Sequence, residues 1–160
     1  MDEGTDGIGE NEMEIVNGNL LDCTENIIVH QTNCQGVMGS GLAKQIKAKY
    51  KEVFNGYYHY CKTNEPTKIL GSALICEAND GKYIANVFGQ LGYGTGLQTD
   101  YSALENALKE VYEFAKEKNL SVAFPYKLSC GLAGGDWNKV EEMLNTIFID
   151  IEAKIYKLED

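Results

Sequence analysis

One junction in the sequence constrains the fold most: the apolar segment Asn26–Gln31, followed by a glycine-rich segment and then by a helical pattern. The apolar segment has turn residues on either side, which predicts a buried strand. Asn33–Gly41 contains three glycines, and glycine lets a backbone take left-handed conformations and approach a ligand closely. The N–H groups at the start of the following helix are unpaired and favour anions. The junction therefore predicts a loop that binds a phosphate or a sugar.

A second junction of the same kind lies near the C-terminus. Ser121–Phe124 predicts a strand, Ser129–Gly134 is rich in glycine, and an amphipathic helix is predicted to begin at Asp136. In open α/β sheets, ligands bind at the edge where strands give way to helices. We therefore expect the two glycine-rich loops to face each other across one cleft.

The remaining periodic segments complete an α/β pattern. The predicted strands are Met13–Asn17, Asn26–Gln31, Ile69–Cys76, Lys82–Phe88, Ser121–Phe124 and Lys154–Leu158. The predicted helices run from Gly41 to about Cys61 with a break near Asn55 and Gly56, from about Thr99 with Thr99 or Asp100 as cap, and from Asp136. The turn at Asp80-Gly81 between two apolar segments predicts a hairpin. Strands alternating with helices, plus one hairpin, predict a single three-layer α/β/α domain with a mixed sheet over residues 13–160.

The composition fits this class. At 160 residues and 44% apolar content, the chain is long enough for one domain with a substantial core. Residues 1–12 are acidic and glycine-rich, which predicts a disordered tail. The chain has no run of ~18 apolar residues and no signal-peptide layout. Five cysteines without a CxxC pair favour reduced thiols, and the two histidines lack metal-ligand spacing. We expect a cytoplasmic protein with no metal, no cofactor and no membrane contact.

The charge of the chain limits its partners. A formal net charge of −10 disfavours direct nucleic-acid binding, which depends on basic residues that neutralise phosphates. Backbone N–H groups and helix dipoles can nevertheless bind a small phosphate-containing ligand without Lys or Arg. We expect such a ligand and a monomeric protein.

Three segments in this order resemble the macro domain family: Gly18–Leu21, His30–Ala43 and Cys130–Trp137. The resemblance covers about residues 13–158 and is closest to the small stand-alone branch that contains ADP-ribose 1''-phosphate phosphatases and ADP-ribosyl-ester hydrolases. It implies that the chain is a macro domain that binds ADP-ribose or an ADP-ribosylated substrate.

The resemblance also assigns positions to the ligand. The Asn19-Leu20 turn is implied to hold the adenine, although most macro domains have Asp where this chain has Asn19, and Asp22 could substitute for it. Asn33 is implied to reach the distal ribose, and the two loops are implied to wrap the sugar and the phosphates. The implied ligand-binding residues are Asn19, Leu20, Asp22, Asn33, Gly36, Val37, Met38, Gly39, Ser40, Gly41, Ser129, Cys130, Gly131, Leu132, Ala133 and Gly134.

Two departures from the family pattern bear on chemistry. Many members carry an aromatic residue in the second loop where this chain has Ala133, so the C1'' side of the ribose is expected to be more open. Ester-cleaving relatives that work through a lysine place it just after the strand that matches Tyr83–Phe88. Here that segment is Gly89–Gly92 and contains no lysine, which argues against a lysine adduct.

Each candidate catalytic residue has two interpretations. His30 is either a satisfied core histidine or a general acid/base beside Asn33, which would position the sugar or a water. Asp136 is either a helix N-cap or the base that activates water at C1''. Cys34 and Cys130 are better explained by packing than by nucleophilic chemistry. The glycine-rich segment that follows Gln90 is either a lid or a solvated connection.

The preferred hypothesis is a hydrolase that removes a group from C1'' of the distal ribose, either phosphate from ADP-ribose 1''-phosphate or a carboxylate-linked protein side chain. In it, Asp136 and His30 share acid/base work and Asn33 orients the sugar. The alternative is a module that binds or sequesters ADP-ribose or a related nucleotide without chemistry. A dinucleotide oxidoreductase is disfavoured, because the first loop has the pattern G-x-x-G-x-G and not G-x-G-x-x-G.

Overall fold

The computed structural model describes residues 12–158, which form one six-stranded sheet with helices on both faces. The strands are β1 (Glu14–Asn17), β2 (Ile27–Thr32), β3 (Ala73–Glu77), β4 (Tyr83–Phe88), β5 (Val122–Pro125) and β6 (Ala153–Lys157). The helices are α1 (Gly41–Lys49), α2 (Lys51–Thr63), α3 (Pro66–Ile69), α4 (Tyr101–Lys118) and α5 (Trp137–Ile147), with a 3-10 turn at Leu20–Asp22. The predicted tail lies outside the described residues, apart from Glu12.

The sheet has the order β1-β6-β5-β2-β4-β3 and is mixed, as predicted. Every neighbouring pair is parallel except β3 and β4, which form the predicted antiparallel hairpin. Gly81 closes this hairpin with φ +93°, a conformation that glycine adopts without strain. The hairpin leaves β2 in the centre of the sheet, between β4 and β5.

Both faces of β2 are buried, which makes the domain three-layered. Successive side chains of a strand point to opposite faces. Ile27 and Val29 therefore pack with α4 and α5 in one core cluster, while Ile28 packs in another with Ile46 of α1 and Val53 of α2. None of the helices within residues 12–158 is long and apolar enough to cross a membrane.

The predicted break in the first long helix is wrong in position. The helix breaks at Tyr50, whose φ of −122° and ψ of 69° are not helical, whereas Asn55 and Gly56 lie inside α2. Tyr50 is buried, and its hydroxyl donates to Asp80 Oδ2 at 2.9 Å. The break is therefore set by a contact with the distant β3–β4 turn.

The predicted strand at Ile69–Cys76 is also partly wrong. Pro66–Ile69 forms α3, and β3 begins only at Ala73. Gly71 turns the chain between them with φ +90°, close against Ala103 of α4. Proline at the first helical turn stabilises such a short helix, because its missing N–H would be unpaired there in any case.

Three loops meet at one edge of the sheet. β5, β2 and β4 are parallel neighbours, so their carboxyl ends lie side by side. They lead into what we call the first glycine loop (residues 33–40, after β2), the middle loop (residues 89–99, after β4) and the second glycine loop (residues 126–136, after β5). The helices α1 and α5 begin directly after their loops, and α4 begins after Asp100, which follows the middle loop.

Candidate functional site

Asn33 shapes the first glycine loop from within. Its Nδ2 donates to Val37 O at 2.8 Å, and its Oδ1 accepts from Gln35 N at 2.9 Å. The Tyr57 hydroxyl lies 2.8 Å from Asn33 O and 2.9 Å from Asn33 Oδ1. Because an amide carries two N–H donors, one Nδ2 hydrogen remains for a ligand. Asn33 therefore fixes the loop and can still contact a sugar hydroxyl.

The rest of this loop presents backbone to the cleft more than side chains. Gly36 has φ +81° and is buried against Tyr58, and Met38 lies in a core cluster with Tyr57 and Phe88. Any contact of Met38 with a ligand is therefore made by its backbone. Ser40, Gly41 and the neighbouring Gly39 are exposed, and Val37 is half-buried.

The start of α1 is open to an anion. Ser40 precedes the helix, and among the described residues its side chain makes no capping bond to the first helical turn. The first N–H groups of a helix have no intrahelical partner and carry the positive end of the helix dipole. The first glycine loop therefore ends in a site suited to a phosphate.

The second glycine loop is a tight backbone structure. Gly135 N donates to Ser129 O at 2.9 Å, and a Cβ at Gly135 would lie 2.6 Å from that oxygen. Gly134 has φ +74° and packs on the backbone of Gly96. Both positions consequently require glycine.

The predicted ligand-binding residues of this loop differ in exposure. Gly131 and Leu132 are exposed, whereas Ser129 and Cys130 are half-buried. Ala133 is buried, and its carbonyl accepts from Gln98 N at 2.8 Å and Thr99 N at 3.2 Å. The residue at the family's aromatic position is thus tied to the middle loop through its backbone.

Asp136 is the N-cap of α5, so that interpretation is confirmed. Its Oδ1 accepts from Asn138 N at 2.9 Å, and its own N–H donates to the Tyr101 hydroxyl at 2.9 Å. The side chain is exposed. Asp136 is also the only carboxylate within the three loops. The cap occupies one carboxylate oxygen, and the other can still contact a ligand or a water.

His30 lies in the core and not on the exposed surface of the cleft. It is 2% exposed, and its Nε2 lies 2.7 Å from Oδ1 of Asn86, its cross-strand partner on β4. Because Asn86 Oδ1 only accepts, we assign the proton to Nε2. Nδ1 has no partner among the described residues, and burial lowers the pKa of His30 from 6.5 to about 4. This geometry favours the core interpretation, and among the described residues no hydrogen bond joins His30 to Asp136.

The two loop cysteines remain protonated thiols at neutral pH. Burial raises the pKa of Cys34 to about 12, with a smaller contribution from Cys61. Burial, and then the carboxylate of Asp136, raise the pKa of Cys130 to about 11. A cysteine nucleophile needs a lowered pKa, so the packing interpretation is favoured at both positions.

The turn implied to hold adenine is exposed at Asn19 and Asp22 and buried at Leu20. Asn19 Oδ1 accepts from Leu21 N at 2.9 Å and caps the 3-10 turn. The amide oxygen expected to contact adenine thus already accepts one hydrogen bond and keeps one lone pair for a ligand, beside the donor Asn19 Nδ2.

Sequence reasoning missed a buried carboxyl group that anchors the segment after this turn to β6. Glu25 is 2% exposed, its Oε1 accepts from the Tyr156 hydroxyl at 2.6 Å, and its Oε2 lies 3.6 Å from Lys154 Nζ. Lys82 Nζ donates to the backbone carbonyls of Cys23 and Glu25. No local pattern marks Glu25 as buried, because its partners lie on β6 and next to β4.

The middle loop joins the two glycine loops and is more than a solvated connection. Cys34 N donates to Leu91 O at 3.1 Å on one side, and Gln98 N donates to Ala133 O on the other. Sequence reasoning also missed Gln31, which bonds to the middle loop and to the second glycine loop. Within residues 12–158, no three His, Cys, Asp or Glu side chains are grouped so as to hold a metal ion.

Comparison with known proteins identifies the family. The DNA ADP-ribosyl glycohydrolase of Mycobacterium tuberculosis is 34% identical over 146 residues, which cover 87% of this chain and 40% of that protein. The ADP-ribose 1''-phosphate phosphatase of Scheffersomyces stipitis is 28% identical over 153 residues, 81% of this chain and 87% of that protein. The solved macrodomain of Mycobacterium tuberculosis DarG superposes with a TM-score of 0.79 at 31% identity, covering 89% of this chain and 95% of that one. The chain thus spans less than half the length of the mycobacterial glycohydrolase. The Macro domain family model matches residues 29–144, most of the sequence, and the chain belongs to the macro domain family.

Proposed function

We propose that this macro domain binds ADP-ribose and hydrolyses the bond between C1'' of the distal ribose and its substituent. The observation that carries the proposal is the convergence of both glycine loops, the open start of α1 and the carboxylate of Asp136 at one edge of the sheet. Relatives named as hydrolases of ADP-ribose derivatives support it.

In the proposed mechanism, each group has a separate task. The N–H groups at the start of α1 and in the second glycine loop hold the diphosphate. Asn33 Nδ2 orients a ribose hydroxyl. The free oxygen of Asp136 takes a proton from a water, whose oxygen bonds to C1'' while the substituent leaves with the bonding electron pair. The proton then passes from Asp136 to the leaving group or to solvent.

We assign His30 a positioning role in place of acid/base work. Its ring is buried and bonded to Asn86, so it holds β2 against β4 directly below the first glycine loop. Proton transfer to a substrate would require the imidazole to reach the cleft.

The charge around the three loops favours a substrate whose substituent on C1'' is uncharged before it is cleaved. Within the three loops, the charged side chains are Asp136 and Lys127. Lys127 Nζ lies 5.7 Å from the centre of the Tyr126 ring, and Lys139 Nζ of α5 lies 4.8 Å from that of Tyr101. A phosphate on C1'' would add negative charge close to Asp136 without a dedicated cation. We therefore expect an acyl or nucleobase substituent to be removed faster than phosphate.

The decisive experiment compares three substrates: ADP-ribose 1''-phosphate, a glutamate-linked ADP-ribosylated peptide and an ADP-ribosylated oligonucleotide. We expect turnover of at least one, and a loss of about 100-fold or more in kcat for Asp136→Asn. Asn is as good an N-cap as Asp, so this variant tests the carboxylate without removing the cap. Asp100→Asn, at the N-cap of α4 outside the three loops, is the matched control and should retain activity.

The second candidate function is a binding module that recognises ADP-ribose without chemistry. It is favoured by the engagement of Asp136 in the cap and by the burial of His30. Calorimetry that detects ADP-ribose binding, together with no turnover of the three substrates, would establish this function in place of hydrolysis. An Asp136→Asn variant with wild-type kcat would equally remove Asp136 from the mechanism.

We also propose that the domain works as a monomer in the cytoplasm, without affinity for membranes or for nucleic acid that carries no ADP-ribose. The formal net charge of −10 and the five unpaired cysteines support this proposal. Light scattering during gel filtration tests the monomer. Binding of an unmodified oligonucleotide with a Kd below the millimolar range would contradict the proposed absence of affinity for nucleic acid.

A further inference from the structure

One side chain, Gln31, connects the middle loop to the second glycine loop. It is the next-to-last residue of β2, the central strand, and both polar atoms of its side-chain amide are hydrogen-bonded. Its Nε2 donates to Gln90 Oε1 at 2.7 Å and to Thr99 Oγ1 at 3.0 Å. Its Oε1 accepts from Ser129 Oγ at 2.6 Å. The amide thus holds both ends of the middle loop and the start of the second glycine loop.

The surroundings of this amide leave little freedom. The Thr99 hydroxyl donates to Ser129 O at 3.0 Å, and Gln90 Nε2 donates to Gly92 O at 2.8 Å. A Cβ at Gly89 would lie 2.3 Å from Gln31 Oε1, so the amide packs directly on the backbone of the middle loop. Glycine at position 89 is therefore needed for the Gln31 side chain to occupy this place.

We propose that Gln31 is a positioning residue that holds the second glycine loop against the middle loop before ligand arrives. The inference rests on the proposed ADP-ribose binding. Gln31 is not among the ligand-binding residues that the family resemblance implies, and it lies outside both glycine motifs. Loops that already have their bound shape cost less ordering entropy on binding. Loss of the Gln31 bonds should therefore weaken ADP-ribose binding by about tenfold.

The principal variant is Gln31→Met, which keeps the length of the side chain and removes its donors and acceptor. Gln98→Met is the matched control, because among the described residues Gln98 Nε2 bonds only to Thr95 O, at 3.0 Å and within the middle loop. We expect calorimetry to show the tenfold loss of ADP-ribose affinity for Gln31→Met and less than about twofold for Gln98→Met. Ser129→Ala removes one of the same bonds, so its effect and that of Gln31→Met should not add.

Amide hydrogen exchange supplies a readout that needs no ligand. The N–H groups of Gln98 and Thr99 bond to Ala133 O, and that of Gly135 bonds to Ser129 O. In Gln31→Met these three should exchange at least about tenfold faster, while Val111 in the core of α4 stays protected. A simple loss of global stability would accelerate all of them together.

The outcomes separate this proposal from the proposed function. Unchanged exchange at the three loop amides would overturn the positioning role, and so would faster exchange with unchanged ADP-ribose affinity. If the wild-type chain does not bind ADP-ribose, the proposed function fails, and the exchange rates alone decide whether Gln31 holds the loops. If Gln31→Met does not fold, Thr99→Val is judged by the same two measurements, because it removes the bond between Thr99 Oγ1 and Gln31 Nε2 at a residue outside the implied ligand-binding set.

Discussion

At the scale of single residues, His30 shows what a local sequence pattern can and cannot predict about the role of a side chain. A histidine at the end of an apolar segment is compatible with both a core and a catalytic role, because its own pKa lies near neutrality. The choice depends on Asn86, 56 residues away, which supplies the acceptor at 2.7 Å. Asp136 is the contrasting case, since an Asp before an amphipathic helix predicts a cap from local sequence alone.

The burial of His30 predicts that acid destabilises the fold. The pKa of His30 is about 4 in the folded protein and about 6.5 when unfolded, so only the unfolded chain binds a proton between these values. This contribution to the free energy of unfolding is complete above pH 6.5, falls as the pH drops to 4, and totals roughly 3 kcal/mol. Urea unfolding at pH 7, 5.5 and 4.5 measures it.

A pair of variants separates the contribution of His30 to the pH dependence of stability from that of the carboxyl groups, which titrate over a neighbouring pH range. His30→Gln retains a donor for Asn86. In this variant, the plot of the free energy of unfolding against pH should lose the part of its slope that lies between pH 6.5 and 5. His59→Gln, at an exposed position of α2, should keep the full slope. Equal slopes for the two variants would contradict the assignment to His30.

At the scale of elements, local pattern located most helices and strands but not all of their ends. Asp136 caps α5 as predicted, and Asp100, one of the two predicted candidates, caps α4, because a cap depends on neighbours two or three residues away. The break at Tyr50 and the helix α3 were missed. Tyr50 is held by Asp80 of another turn, and no helical periodicity contains that information.

Two glycine substitutions test the difference between a local and a tertiary constraint. At Gly135 a Cβ would lie 2.6 Å from the backbone oxygen of Ser129, so Gly135→Ala should cost about 1–3 kcal/mol and weaken ADP-ribose binding. At Gly56, inside α2, a Cβ meets nothing within 4 Å, so Gly56→Ala should stabilise the fold by about 0.5–1 kcal/mol. Chemical denaturation compares them. Equal stability of the two variants would refute the close approach at Gly135.

At the scale of the whole molecule, the site is assembled from segments that are distant in sequence. Ser129 bonds to Gln31 across 98 residues, and the Tyr156 hydroxyl bonds to Glu25 across 131. The parallel order of β5, β2 and β4 makes the first of these contacts possible, since it places the three carboxyl ends together.

The bond from half-buried Tyr156 to buried Glu25 predicts a large effect of a small substitution. A hydrogen bond to a buried carboxyl group contributes about 1.5–3 kcal/mol, so Tyr156→Phe should lower the free energy of unfolding by about 2 kcal/mol. Tyr112 makes the same kind of bond to Asp150 at 3.1 Å on the surface, where water competes for both partners, so Tyr112→Phe should lower the free energy of unfolding far less. Thermal and urea unfolding measure both. A smaller loss for Tyr156→Phe than for Tyr112→Phe would contradict the anchoring role of Glu25.

The sequence by itself determined the fold class, the family and the two glycine loops, because strand and helix periodicity, caps and glycine motifs act over a few residues. The tertiary structure alone decided which side chains the loops engage. It buried His30 against Asn86, used the Asn19 oxygen for a turn, and joined Gln31 to Gln90, Thr99 and Ser129. These contacts form between strands and loops that only the sheet order brings together, and burial there sets both their strength and the pKa of His30.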